Sequence, residues 1–134
     1  MSHRRSLAVL AALILSSSAA AQGDPWSAAR PLTISLSSFK FEPSGIMLEH
    51  DVPYRLHLVN SSSGGHDFAA AAFFAAARIR PEDAAKVRNG RIGLAGGESV
   101  DIQLIAPSSP GTYKLRCTHF MHGAFGMTGR IVVR

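Results

Sequence analysis

Apolar and polar residues alternate along most of the chain with the period of short β-strands. Leu32, Ile34 and Leu36 interleave with Thr33 and Ser35, which gives one buried and one wet face when successive side chains point to opposite sides. The apolar parity shifts at Phe39 and Phe41, and a continuous strand cannot exchange its faces. A bulge, bend or turn is therefore predicted near Ser37-Ser38. Ile46 and Leu48 follow. After the turn signal Asp51-Val52-Pro53, Tyr54, Leu56 and Leu58 face one way and Arg55 and His57 the other, which places His57 in water. Ser61 to Gly65 reads as a loop delivering His66, Phe68 to Ala77 as a short buried helix or packed segment, and Pro81-Glu82-Asp83 as a turn or single helical turn. Ile92 and Leu94 precede a Gly96-Gly97 turn, and Val100, Ile102 and Leu104 alternate again. Tyr113, Leu115 and Cys117 then share a face opposite Lys114 and Arg116, and Gly129, Ile131 and Val133 alternate with Arg130 and Arg134. Short strands punctuated by turns predict an all-β, antiparallel Greek-key β-sandwich with one short helical segment.

The first residues break this pattern. A basic head at Arg4-Arg5, an apolar run from Leu7 to Leu15 and a small-residue stretch ending Ala19-Ala20-Ala21 are the parts of an export signal, so residues 1–21 are expected to be removed by cleavage after Ala21. The run falls short of the roughly 20 residues that span a bilayer, which weighs against a retained anchor and predicts no stable membrane span. Residues 22–31, with Gly23, Pro25 and Trp26, read as a flexible lead-in to a single domain over 32–134. A length of 134 residues suits one core. Loss of Arg4 and Arg5 lowers the net charge from +5 to +3. That mild basicity suits steering toward an acidic protein, while the absence of a Lys/Arg block or interleaved aromatics argues against nucleic acid. Cys117 is the sole cysteine, so no internal disulfide can form in an oxidising compartment and the thiol needs another explanation. A soluble periplasmic monomer is expected.

That explanation lies in the segment from Cys117 to Met127, between the last two strands. Cys117 ends its strand on the inward face, and Met127 opens the next with the parity of Ile131 and Val133. Four residues separate Cys117 from His122 and four more separate His122 from Met127, enough for a loop to wrap an ion whose near ligands lie at roughly 2 Å. His66 is the natural fourth ligand, since a Greek key brings a middle strand beside the final ones. A thiolate, two imidazoles and a weak thioether form the His₂Cys set with axial Met that suits one copper ion per chain cycling between Cu(I) and Cu(II); zinc more often takes a full Cys/His tetrahedron. His119 competes with His122, and Met121 with Met127, at poorer spacing or parity. Cys117 as an inert buried thiol and His66 as a loop-surface histidine are the bland alternatives. His50 reads as solvated.

The stretch from Tyr113 to Val133, together with His66-Asp67-Phe68, resembles the cupredoxins, the plastocyanin- and azurin-like blue copper proteins. The resemblance covers nearly all of the chain after its leader. It implies His66 as the upstream histidine, Cys117 as the thiolate, His122 as the downstream histidine and Met127 as the axial ligand. It also implies copper near one end of a rigid sandwich, an electron port at the His122 ring edge and a redox-partner protein docking there, near Phe120, Ala124 and Phe125. The spacing between Cys117 and His122 is wider than in plastocyanin and matches azurin. Asp67 stands where the family commonly has asparagine, and an acid there would lower the copper potential or make it depend on pH.

The expected role is a one-electron carrier without catalysis, since no Ser-His-Asp arrangement, paired-carboxylate motif or phosphate loop is present. A periplasmic copper chaperone or copper-resistance protein is the alternative, with Met121 and His119 as transfer ligands. A metal-free binding sandwich is the third reading.

Overall fold

The computed structural model describes residues 23–119 and 126–134. A single 3₁₀ turn, Pro25–Ala28, is capped by the Asp24 carboxylate accepting from the Trp26 N–H at 3.0 Å. The strands among the described residues are β1 (Arg30–Ser37), β2 (Lys40–Glu42), β3 (Gly45–Leu48), β4 (Pro53–Asn60), β5 (His66–Ala69), β6 (Arg78–Ile79), β7 (Arg91–Leu94), β8 (Ser99–Ile105), β9 (Gly111–Arg116) and β10 (Thr128–Val133). They form two sheets, ordered β2-β1-β4-β8-β6 and β3-β10-β9-β5-β7. The alternating residues do what their period demands. Ile34, Leu36, Leu56, Leu58, Ile102 and Leu104 of the first sheet are buried, as are Ile46, Leu48, Ile92, Leu94, Leu115, Ile131 and Val133 of the second. The intervening residues face outward, the pattern of two sheets packed face to face.

Most neighbouring strands run antiparallel, but each sheet also holds a parallel pair, β1 with β4 and β10 with β3. This refines the antiparallel expectation and has a topological cause. After the β1–β2 hairpin the chain crosses to the second sheet as β3 and returns as β4 beside β1, running in β1's direction; such a crossover is how parallel neighbours arise.

The predicted break after Ser37 is a two-residue turn, because Ser37 pairs with Lys40. Phe39 occupies it at φ 62°, a backbone region that bulky residues rarely adopt. Its ring is consequently exposed while Phe41 enters the core. The Ala/Phe run splits between the end of β5 and a six-residue helix, α1 (Ala71–Ala76). No side chain caps α1 at Ala70, and a helix this short does not persist by itself. Packing holds it, with Phe73 5.8 Å from Tyr113 and Phe74 5.9 Å from Phe68 between ring centroids. A second 3₁₀ segment, Pro81–Lys86, covers the edge of β8. No helix among the described residues is long and apolar enough to cross a membrane.

Candidate metal centre

His66 is positioned from two directions. Upstream, Asn60 ends β4 fully buried and closes the following loop with a single amide. Its Nδ2 donates to the carbonyls of Gly64, Leu94 and Ala95 at 2.8, 3.1 and 3.0 Å, and its Oδ1 accepts from the Ser62 N–H and hydroxyl at 3.0 and 2.8 Å. Every donor and acceptor position is used, so the loop is tied to the end of β7. Close backbone packing requires Gly96 here, since a side-chain carbon at that position would fall 2.2 Å from the Ser63 carbonyl oxygen. Downstream, His66 pairs with Leu94 as the first residue of β5, which turns its ring into the interior at 4% exposure.

Cys117 approaches from β9, where the alternation that buries Leu115 also buries the sulfur. Its N–H donates to the Met127 carbonyl at 3.1 Å, so Met127, itself fully buried, lies across the ladder from it. The Cys117 Sγ sits 3.9 Å from His66 Nδ1 and accepts from the Asp67 N–H at 3.4 Å.

Between β5 and β9 the backbone pairs at Ala69 and Arg116, and toward His66 the strands splay. Asp67 bridges the gap with its side chain. One carboxylate oxygen accepts from the Thr118 N–H at 2.6 Å, and the other from the Thr118 hydroxyl. Burial pushes the Cys117 thiol above its ordinary range; the N–H groups of Asp67 and His119 pull it back, and the Asp67 carboxylate pushes it up again. A cation at the sulfur would reverse that balance by favouring thiolate.

The donor chemistry fits a metal. Ligands at about 2.1 Å for imidazole nitrogen and 2.3 Å for thiolate sulfur can stand no more than about 4.4 Å apart around one ion, and the observed 3.9 Å lies inside that limit. Both donors are buried, and the sulfur already receives N–H bonds of the kind that orient and tune a metal-bound thiolate. Of the four expected ligands, the fold brings His66, Cys117 and Met127 to one end of the sandwich. His122 lies outside the described residues, as do Met121, Phe120, Ala124 and Phe125. His119 is exposed at the rim, its ring centroid 6.4 Å from that of His66. A side chain at Gly65 would press on it, with the added carbon 3.0 Å from His119 Cε1. Among the described residues, no three His, Cys, Asp or Glu side chains cluster as a metal site by themselves. His57 lies on the outer face as expected, bonded to Asp101 at 2.8 Å.

Sequence reasoning passed over Asn60 and Thr118. The signal for Asn60 was available, since an asparagine just before a Ser/Gly-rich run is a residue type that bonds to nearby backbone and organises turns. Thr118 carried none, because its role depends on which strand lies across from it.

No protein-family model matches the chain, and no curated protein does. Solved structures do. A dithionite-reduced auracyanin from the photosynthetic bacterium Roseiflexus castenholzii superposes over 80% of this chain and 98% of its own, at 21% identity and a TM-score of 0.59. Auracyanin A from Chloroflexus aurantiacus, titled a "blue" copper protein, covers 78% of this chain and 99% of its own at 20% identity and a TM-score of 0.53. McoA multicopper oxidase from Aquifex aeolicus matches 79% of this chain, at 15% identity and a TM-score of 0.62, through 29% of its own length. At such identities the likeness speaks to architecture, and that architecture is the two-sheet sandwich described above.

Proposed function

We propose, from the cupredoxin fold that these likenesses establish, that the chain is a mononuclear blue copper protein acting as a one-electron carrier. His66 Nδ1, Cys117 Sγ, His122 and the Met127 thioether would hold the ion. The observation that carries this reading is the buried pair of His66 Nδ1 and Cys117 Sγ at 3.9 Å, held by a loop and a strand that the fold locks independently. Copper bound there supplies reversible exchange between Cu(I) and Cu(II). The residues supply the rest. Asn60 fixes the loop that presents His66, Asp67 donates its N–H to the sulfur and fastens Thr118, and the packed core under Met127 limits movement when charge changes. A site that moves little on redox has a low reorganisation barrier, which suits exchange with a partner protein and requires no bound substrate.

The leader over residues 1–21, cleavage after Ala21, a periplasmic location, a monomeric state and partner docking near His122 belong to the same proposal, resting on the sequence. The experiment is the visible and electron paramagnetic resonance spectrum of the mature chain loaded with Cu(II), beside Cys117→Ser. An intense thiolate-to-copper band that vanishes in the variant is expected; its absence from the wild type would reject the copper reading in favour of a metal-free sandwich.

One observation favours a second role, copper delivery. His119 places an exposed imidazole beside His66 at the rim, where an incoming or departing ion would meet it. Transfer of Cu(I) to a chelator distinguishes the two: His119→Ala slows it if the chain delivers copper and leaves it unchanged if the chain is a carrier.

A further inference from the structure

The outer faces of the two sheets differ in charge. On the first, Lys40 pairs with Glu42 at 2.9 Å and His57 with Asp101 at 2.8 Å. Among the described residues the exposed Arg55 and Arg78 stand there without an ion pair on β4 and β6, two strands that β8 separates. On the second, the residues that alternate with buried Ile92, Leu115 and Ile131 are Arg91, Lys114, Arg116 and Arg130, all exposed. Among the described residues none of these four makes an ion pair, whereas Arg30, Lys40, Arg80 and Lys86 each do. Asp67, the one acid on the strands of this sheet, is buried against Thr118.

The register concentrates the charge. Arg130 stands directly opposite Lys114, and Ala69 is flanked by Arg116 on β9 and Arg91 on β7. Like charges directly opposite on neighbouring strands are unfavourable. On its other side Arg130 stands opposite Gly45 of β3, which brings no charge to the face. From β10 to β7 the charges extend across three strand spacings, about 14 Å. Between them and the Ala71-Ala72 end of α1 runs a groove of about 520 Å³, lined by Arg91, Lys114, Arg116 and Thr118 and without a carboxylate in its walls. Folding alone gives no reason to gather four cations here, and a negatively charged surface does.

We propose that this face docks the acidic surface of a partner protein, with carboxylates entering the groove between β9 and α1. Protein is favoured over an anionic membrane because surface-seeking proteins pair cations with large apolar anchors, and on this face the exposed large apolar side chains of the described residues come down to Met47. Electron-transfer encounters are small and charge-steered, so four cations suffice. Arg116 and Thr118 flank Cys117 in sequence, which sets the docked surface next to the proposed ligand. Identifying the docked protein as the redox partner rests on the copper reading; the docking itself does not.

The test titrates a short polyglutamate peptide into the isotope-labelled mature protein at low salt, with and without copper, and reads backbone amide shifts. Shifts confined to the second sheet and the adjoining Ala71-Ala72 end of α1 are expected in both samples, so a failure to bind copper would leave this result standing. Lys114→Glu turns the like-charged pair with Arg130 into an opposed one. It should unfold no more easily than wild type yet bind polyglutamate about ten-fold more weakly, while Arg55→Glu on the other sheet changes affinity less than about two-fold. Equal losses in the two variants, or shifts spread over both sheets, overturn the proposal. So does tighter binding to phosphatidylcholine/phosphatidylglycerol vesicles than to polyglutamate through the same residues, which would make the ligand a lipid surface.

Discussion

Among the described residues two carboxylates are buried, and they are held in opposite ways. Asp83, at the second 3₁₀ segment, accepts from Arg80 Nε at 2.9 Å, Lys86 Nζ at 2.7 Å and the Gln103 N–H at 2.9 Å. Asp67 accepts from the N–H and hydroxyl of Thr118, both neutral, and its charge bears on a neighbouring thiol. A buried acid surrounded by cations is a clamp, its charge cancelled where it stands. A buried acid given neutral donors beside a nucleophilic sulfur keeps its field, and that field acts on whatever binds there. Exposure alone, 1% for Asp83 and 3% for Asp67, does not separate them; the partners do.

The contrast can be broken most forcefully at the clamp. Asp83→Ala leaves the Gln103 N–H without its acceptor and takes one partner from each cation, Lys86 keeping the Asp101 carbonyl at 2.6 Å and Arg80 keeping Glu82 at 3.7 Å. It should lower unfolding free energy by about 2 kcal/mol. Denaturant unfolding measures this, and the thiolate-to-copper band should survive unaltered; a loss under about 1 kcal/mol would mean the clamp carries little. A pH series sharpens the same point. Burial alone would raise the Asp83 carboxyl, but Lys86, the Gln103 N–H and Arg80 together hold it below its ordinary value. The folded form therefore gives up its proton more readily than the unfolded chain. Its stabilisation is complete above the ordinary value of 3.8 and fades as pH falls below it. Melting temperatures of wild type and Asp83→Asn should accordingly stay apart from pH 6 down to about pH 4 and draw together only as the buffer is taken lower. Asp67→Asn should do the reverse of Asp83→Ala. It keeps an acceptor for Thr118, so stability should move by less than about 1 kcal/mol. Removing a negative charge near the sulfur should raise the reduction potential by on the order of 50 mV. Voltammetry of the copper-loaded variant reads the shift, and a potential that stays put would deny Asp67 any electrostatic role.

Much of this was legible in the sequence, and the reasons are specific. Ile34 and Leu36, Leu56 and Leu58, and Ile102 and Leu104 announce their strands because period-two burial leaves its mark on composition. Cys117 and Met127 inherit their inward direction from that parity. The loop before His66 was visible in its serines and glycines. Other features have no local signature. The parallel pairing of β1 with β4 depends on which sheet the chain enters after Glu42, a choice made by the whole core. Phe39, apolar and two residues from buried Phe41, reads as a core position, and only the tight turn carries it into solvent. Asp83 looks like one more charge in a surface turn until Arg80, Lys86 and Gln103 are seen around it. Asp67 stood out by departing from the family's usual residue, though its bond to Thr118 follows from where the two strands part.

That parting gives the second sheet a seam. Strands β3, β10 and β9 form one panel and β5 with β7 another, stitched by backbone at Ala69–Arg116 and by the Asp67 carboxylate above it. His66 belongs to one panel and Cys117 to the other. An ion gripped by both works as a rivet through overlapping plates, so filling the site should stiffen the sandwich against thermal opening, and emptying it should let that end breathe first.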